Sequence, residues 1–238
     1  MPASIPPNEA QRLAALREYQ VLDTEDEQAY DDICALAAYI CGVPVAMISL
    51  VDESRQWFKS KLGVNQRETP RDVAFCAHAI LQAEPLIVRD ALKDTRFAGS
   101  ALVKRSPYIR FYAGFPLATP EGLALGTLCA IDRRPRRLAP AKEQAMKALA
   151  RQVMALLELR RVSKNLAQAL ENIKTLRGLL PICAWCKRIR DDHGYWKQVE
   201  TYIHSHTEAD FTHGICPECF QKVSRPRKGE DSAPRRAE

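Results

Sequence analysis

The chain has 238 residues, 46% of them apolar and 27% charged, with a formal net charge of +6. That is room for one ordinary domain plus something small, with enough apolar side chains to bury a core. No run approaches the roughly 20 apolar residues of a membrane span, and the start, Met1 to Pro7, has neither the basic residues nor the apolar stretch of a signal peptide, so a cytoplasmic protein without membrane contact is expected.

In chain order, residues 8–18 carry Leu13 and Leu16 on one face and read as a helix within an N-terminal segment, 1–23. Thr24 and Glu27 have the spacing of a capping box. After them Tyr30, Ile33, Cys34, Ala37, Ile40 and Cys41 recur at helical spacing, and Gly42 ends the helix. Pro44 to Val51 is a short β-rich apolar run, read as a buried strand, and Gln56 to Ser60 returns as a second strand after a turn. Residues 72–82 read as helix, 86–88 as strand and 94–102 as a short helix. Ile109–Leu117 and Leu125–Ile131 flank a Pro120–Gly122 turn and read as a hairpin. Strands with interspersed helices and hairpin links point to an α+β fold with an antiparallel sheet.

From Ala139 to Gly178 the pattern is helical. Leu159, Val162, Leu166, Ala169, Ile173, Leu176 and Leu180 are spaced alternately three and four apart, a heptad seam that predicts a coiled coil and a homodimer through helix 139–178. The competing reading is an amphipathic helix lying on its own domain. Gly178 and Pro181 then stop the helix.

Two cysteine pairs follow, Cys183-x2-Cys186 and Cys216-x2-Cys219. Two such knuckles complete a tetrahedron of thiolates, which suits structural Zn²⁺ and leaves no open position for catalysis. Reduced cytosolic thiols favour metal over disulfide. The 29-residue gap also resembles the spacing of iron sites in rubredoxin, and His213 could stand in for one cysteine. Residues 179–222 are too few to fold easily unaided. Their expected core is Ile182, Trp185, Ile189, Tyr195, Trp196, Val199, Tyr202, Ile203, Phe211, Ile215 and Phe220, with a hairpin turn at 191–194 and a helix at 196–205. The remainder, 223–238, is rich in Ser, Arg, Pro and charge and reads as a disordered basic tail. The basic clusters Arg133, Arg134, Arg136, Arg137 and Arg225, Arg227, Lys228 lack aromatic neighbours or a recognition element, so nucleic-acid binding is not expected.

The residues Asn8, Arg12, Leu16, Tyr19, Leu22 and Thr24, with the stretches 48–52, 55–60, 75–80, 94–97, 109–114 and 125–132, together resemble a GAF domain. The resemblance covers residues 8–157, with the domain proper at 24–157. It implies a central antiparallel sheet flanked by helices and a ligand pocket between the sheet and the helices and loops over one face. Such modules sense small molecules or dimerise in bacterial signalling proteins. The stretch from Leu179 to Cys219 resembles a cysteine-rich tail found after such modules.

The candidate pocket residues are Phe75, Cys76, His78, Arg110, Tyr112 and Cys129. Some GAF domains attach a bilin through a cysteine followed directly by histidine; here Ala77 intervenes between Cys76 and His78, and a bilin is not expected. Asp90, Asp94, Arg96 and Arg110 read as loop-tying ion pairs. No kinase, cyclase or phosphodiesterase signature stands out, so a non-enzymatic sensor is expected, relaying through the long helix to a metal-stapled module that contacts a protein partner. Two alternatives remain. One is a zinc-module nucleic-acid regulator using Lys187, Arg188 and Arg190. The other is a methionine sulfoxide reductase-like thiol enzyme using Cys76 or Cys129, ranked last because both cysteines sit in apolar stretches.

Overall fold

The computed structural model describes residues 3–174, 180–191, 193–207 and 209–224, with side chains for all of these except 171–174. The expected positions Leu176, Gly178, Arg225, Arg227 and Lys228 fall outside this set, as does the side chain of Ile173. The chain divides into two compact units, residues 1–167 and 168–238.

The first unit opens with α1 (Glu9–Glu18) and α2 (Gln28–Cys41), the latter ending at Gly42 in the left-handed region. Strands β1 (Val45–Val51), β2 (Arg55–Leu62) and β3 (Glu68–Pro70) follow. A 3-10 turn at Arg71–Val73 leads into the short α3 (Phe75–Ala79). Then come β4 (Leu86–Val88), α4 (Ala101–Lys104), β5 (Phe111–Ala118), β6 (Ala124–Asp132) and the long α5 (Pro140–Lys174). The sheet is six-stranded and antiparallel, in the order β3-β2-β1-β6-β5-β4. The expected α+β architecture is therefore present.

Strand alternation divides the apolar residues between two faces. Ile48 and Leu50 of β1, with Phe111, Phe115 and Leu117 of β5, meet α1, α2 and the first half of α5 in one core. Met47 and Val51, with Tyr112 of β5 and Cys129 and Ile131 of β6, meet α3, Phe97 and α4 in a second core. The central strands β1, β5 and β6 are almost wholly buried because both faces are covered.

Buried ionic groups anchor the helical layer. Arg12 is 1% exposed; it donates to the Val51 carbonyl at 2.6 Å and forks onto Glu9 at 2.7 and 2.9 Å. Arg71 reaches the same carboxylate at 2.6 Å. Lys59 is equally buried and donates to Thr24 Oγ1, the Glu25 carbonyl and Glu27 Oε1 at 3.0, 2.6 and 2.6 Å. Arg160 of α5 also binds Glu27, and Tyr19 binds Glu158. These contacts fasten α5 where it leaves the sheet.

They also explain a correction. Thr24 and Glu27 form no capping box: α2 begins after Glu27 without a side-chain cap. Thr24 donates instead to the Val21 carbonyl, and the Glu27 carboxylate is taken by Lys59 and Arg160. A buried ammonium competes more strongly for these oxygens than an exposed backbone N–H does. The helix expected at 72–82 is shorter, because the chain turns through a 3-10 step and breaks at Ala74, which is extended. The helix expected at 94–102 is replaced by turns, with helix confined to Ala101–Lys104.

The two readings of the long helix divide along its length. Met146, Ala150, Val153 and Leu157 are buried against the sheet, as in a surface helix. Beyond them Leu159, Val162, Leu166 and Leu170 are more than half exposed, and Ala169 is exposed as well.

In the second unit, β7 (Ile189–Arg190) pairs with β8 (Trp196–Lys197), followed by α6 (Val199–His206) and α7 (Pro217–Ser224). Asp191 caps the connecting turn, accepting from the backbone N–H groups of His193 and Tyr195. The expected core is corrected: Ile189 and Tyr202 are buried, whereas Trp185 is 94% exposed and Ile182, Tyr195, Trp196, Phe211, Ile215 and Phe220 are exposed. A unit this short has too little interior to enclose so many large side chains. Helix α7 also carries order to Ser224, one residue past the expected start of the tail.

Candidate functional site

On the face of the sheet opposite α5 lies a cavity of about 230 Å³. Met47, Phe58, Ile109 and Ile131 supply its apolar walls; Phe75, Cys76 and Tyr112 reach it from α3 and β5; and Leu102, Ser106 and Pro107 border it. Phe75 stacks on Phe97 with ring centroids 4.1 Å apart and tilts against Tyr112 at 5.1 Å. The cavity is somewhat below the roughly 300–1,000 Å³ of drug-sized ligand sites.

One wall is polar. Cys76 Sγ receives hydroxyls from three strands: Thr127 of β6 at 3.0 Å, Ser49 of β1 at 3.1 Å and Tyr112 of β5 at 3.2 Å. Ser49 and Thr127 lie 3.2 Å apart across a register pair. Burial pushes the Cys76 thiol up, but its neighbours Cys129, Ser49, Thr127 and Tyr112 outweigh it and draw the group below the ordinary thiol range. Cys129 moves the other way, held well above the ordinary thiol range by its neighbour Cys76 and by burial. Burial, with the charge of Cys76, likewise keeps Tyr112 protonated and a donor.

A glycine places the tyrosine. Gly114 lies two residues along β5, on the same face, and opposite Cys129 in the ladder. A Cβ there would stand 2.1 Å from the Tyr112 hydroxyl and 2.6 Å from its ring carbon Cζ. The missing side chain is the space in which the ring lies to reach Cys76.

Of the expected pocket residues, Phe75, Cys76 and Tyr112 line the cavity. Cys129 belongs to the same core beside Cys76. His78 is half-buried and sets its ring edge against Phe97, 4.8 Å between centroids. Arg110 is corrected: it forks onto Asp90 at 2.8 and 2.9 Å and does not line the cavity. Asp94 and Arg96 pair in the same way. Ser49 and Thr127 were missed. The available signal was a single hydroxyl in the middle of each of two otherwise apolar strands, and the apolar setting assigned to Cys76 is corrected by them.

The second unit presents each cysteine pair as a similar turn. Cys186 N–H points to Cys183 Sγ at 3.5 Å, and Cys219 N–H to Cys216 Sγ at 3.5 Å. The chain closes behind them with Lys187 N–H on the Cys183 carbonyl and Phe220 N–H on the Cys216 carbonyl. Backbone N–H groups, those of Cys186 and Cys219 first, draw the Cys183 and Cys216 thiols down. Among the described residues, no three His, Cys, Asp or Glu side chains gather as a metal set, so the pairs are not brought together and His213 joins neither.

A covered antiparallel sheet, with a long departing helix on one face and a small, partly enclosed cavity under short helices on the other, is the architecture of a sensory module of signalling proteins. The sequence profile of the GAF domain family matches residues 25–157, and the chain belongs to that family. A curated relative, cyclic di-GMP phosphodiesterase PA2567 of Pseudomonas aeruginosa, is 43% identical over 151 residues, which is 63% of this chain and 26% of that protein. The chain thus spans about a quarter of that relative's length. This finding overturns the expectation of a non-enzyme, since the relative is named for a catalytic activity; the name describes the whole of that protein. Among solved structures, the GAF domain of a Coxiella burnetii phosphoenolpyruvate-protein phosphotransferase has a TM-score of 0.50 at 15% identity, covering 66% of this chain and 97% of that one. The corresponding Acinetobacter domain has a TM-score of 0.49 at 18% identity, covering 65% and 98%. At such identities the likeness concerns the fold. Among the described residues no helix is long and apolar enough to cross a membrane.

Proposed function

We propose that the GAF domain senses a small, mostly apolar molecule in the cavity beside Cys76 and relays its presence through α5 to the cysteine-rich unit. The observation that carries this reading is a small, partly enclosed and mostly apolar cavity beside Cys76, on the face of the sheet opposite α5. Strand β5 carries both faces: Tyr112 points to the cavity side, while Phe111 and Phe115 pack on the side of α5. A ligand preferring one setting of Tyr112 shifts the population of arrangements at the helix. The exposed row Leu159, Val162, Leu166 and Ala169, spaced three, four and three apart, supports pairing with a second copy in a parallel coiled coil. The 43% identical relative supports a setting in cyclic di-GMP signalling, with this chain's domain in the sensory part.

The thiol pairs support a structural metal. Both turns carry the donor type and N–H···S bonds of a knuckle, and Cys183, Cys186, Cys216 and Cys219, which stand as two separate pairs here, would hold one Zn²⁺ on coming together. When bound, the ion would supply cross-linking alone.

Native mass spectrometry of the full chain, purified from its own cells, tests all three parts. We expect a dimer with one metal per chain and a non-covalent small molecule. Replacing Val162 and Leu166 together with glutamate should yield monomers, because charge enters the seam. Cys183→Ser should lose the metal. Ala74→Leu, which narrows the cavity, should lower ligand occupancy. A wild type that is monomeric at tens of micromolar sinks the helix pairing, and a metal-free but protease-resistant residue 182–222 unit sinks the staple.

A further inference from the structure

We propose that Cys76 is a hydroperoxide-reactive thiolate and that Cys129 is the thiol that resolves it into an internal disulfide. This assigns an oxidisable site to the wall of the cavity. It shares that cavity with the sensory reading above but needs no non-covalent ligand.

Three hydroxyls from three separate strands converge on one sulfur at 3.0–3.2 Å. A hydroxyl has one proton to give, and three of them turned on a single sulfur suit an anion better than a thiol with a proton of its own. The same bonds draw the Cys76 thiol below its ordinary value against its burial, towards the reactive thiolate form. The other two buried thiols of the first unit lack such a cage: burial pushes Cys34 up to about 11 and raises Cys41. Access comes from the cavity, which Cys76 and Tyr112 both line. The second thiol is at hand: Cys129 is buried in the same core as Cys76, sits two residues from Thr127 on the same face of β6, and lies opposite Gly114.

The chemistry balances in two steps. The Cys76 thiolate attacks the distal oxygen of a hydroperoxide; an S–O bond forms, the O–O bond breaks, and the leaving oxygen takes a proton to become an alcohol or water. The Cys129 sulfur then attacks the resulting sulfenic acid; an S–S bond forms and water leaves. Two thiols lose two electrons in total and one hydroperoxide is reduced. The three hydroxyls position and stabilise the attacking sulfur. Closing the disulfide draws α3 towards β6 and takes the acceptor from Tyr112, altering the cavity wall.

The test treats the full chain with hydrogen peroxide and, separately, with cumene hydroperoxide, quenches with a maleimide and maps each cysteine by peptide mass spectrometry. We expect a Cys76–Cys129 disulfide to form while Cys34 and Cys41 stay reduced. Cys129→Ala should leave a Cys76 sulfenic acid that dimedone captures. Tyr112→Phe should slow Cys76 oxidation by about tenfold, the value of one hydrogen bond to a charged group. Gly114→Ala, which displaces the Tyr112 hydroxyl, should slow it similarly. Cys76 that reacts no faster than Cys34 in the wild type overturns the proposal, whatever the variants do. A reactive Cys76 without ligand in native spectra would instead separate this site from the sensory reading.

Discussion

Replacing Gly126 with alanine is expected to destabilise the first unit by about 3 kcal/mol, the upper end of ordinary overpacking. Gly126 pairs with Leu50 across the centre of the sheet. An added Cβ would lie 1.9 Å from the Ser49 carbonyl oxygen and 2.8 Å from the Leu50 Cα. These are backbone atoms of a strand bonded on both sides, to β2 and to β6, so they cannot swing aside as the end of a side chain can. Relief requires β1 and β6 to part, at the cost of ladder hydrogen bonds and of both cores packed on them. It also separates Ser49 from Thr127, which together hold Cys76. Urea unfolding followed by circular dichroism should show the midpoint falling by about 1–2 M, using an m-value typical of a small domain. An unchanged midpoint would mean that the strands are not this close.

Glu9→Ala should cost a similar amount, about 3 kcal/mol, through a different mechanism. It strips the carboxylate from Arg12, which is 1% exposed, and leaves a buried guanidinium with its charge uncompensated. It also frees Arg71 from α1. The effect should depend on pH. Burial raises Glu9, but hydrogen bonds and charge from Arg12 and Arg71 outweigh it and lower the carboxyl from 4.5 to about 2. Above pH 4.5 the group is ionised whether folded or unfolded, and its contribution is fully present. Between 4.5 and 2 the unfolded chain takes up the proton first, so the contribution drains away as pH falls. The stability gap between wild type and Glu9→Ala, measured by urea titration at successive pH values, should therefore narrow below pH 4.5. A gap that stays constant down to pH 3 would show that Glu9 is not tied to the two arginines.

The strands and the long helix were readable because their signals are local. Short apolar runs at 44–51 and 125–131, and helical spacing in 30–41, report local geometry that neighbours in space do not change. Local signals failed where a distant group competed for the same atoms. Thr24 and Glu27 have cap spacing, yet Lys59, 35 and 32 residues away, takes their oxygens. Of the two roles Arg110 could have from its residue type, pocket residue and loop-tying ion pair, its fork onto Asp90 gives the second. The aromatic residues of 182–222 look like a core, yet so short a unit leaves most of them on its surface.

The amino-acid sequence by itself determined the α+β sheet, the family, the helix that leaves the domain and the two cysteine turns, since each is written in residue types at short, regular spacing. The tertiary structure alone decided which cysteine is chemically distinct. Cys76 differs from Cys34 and Cys41 because Ser49, Tyr112 and Thr127, from 27 to 51 residues away, bring hydroxyls to it. The charge on a buried sulfur depends on the donors that surround it, and only folding assembles them.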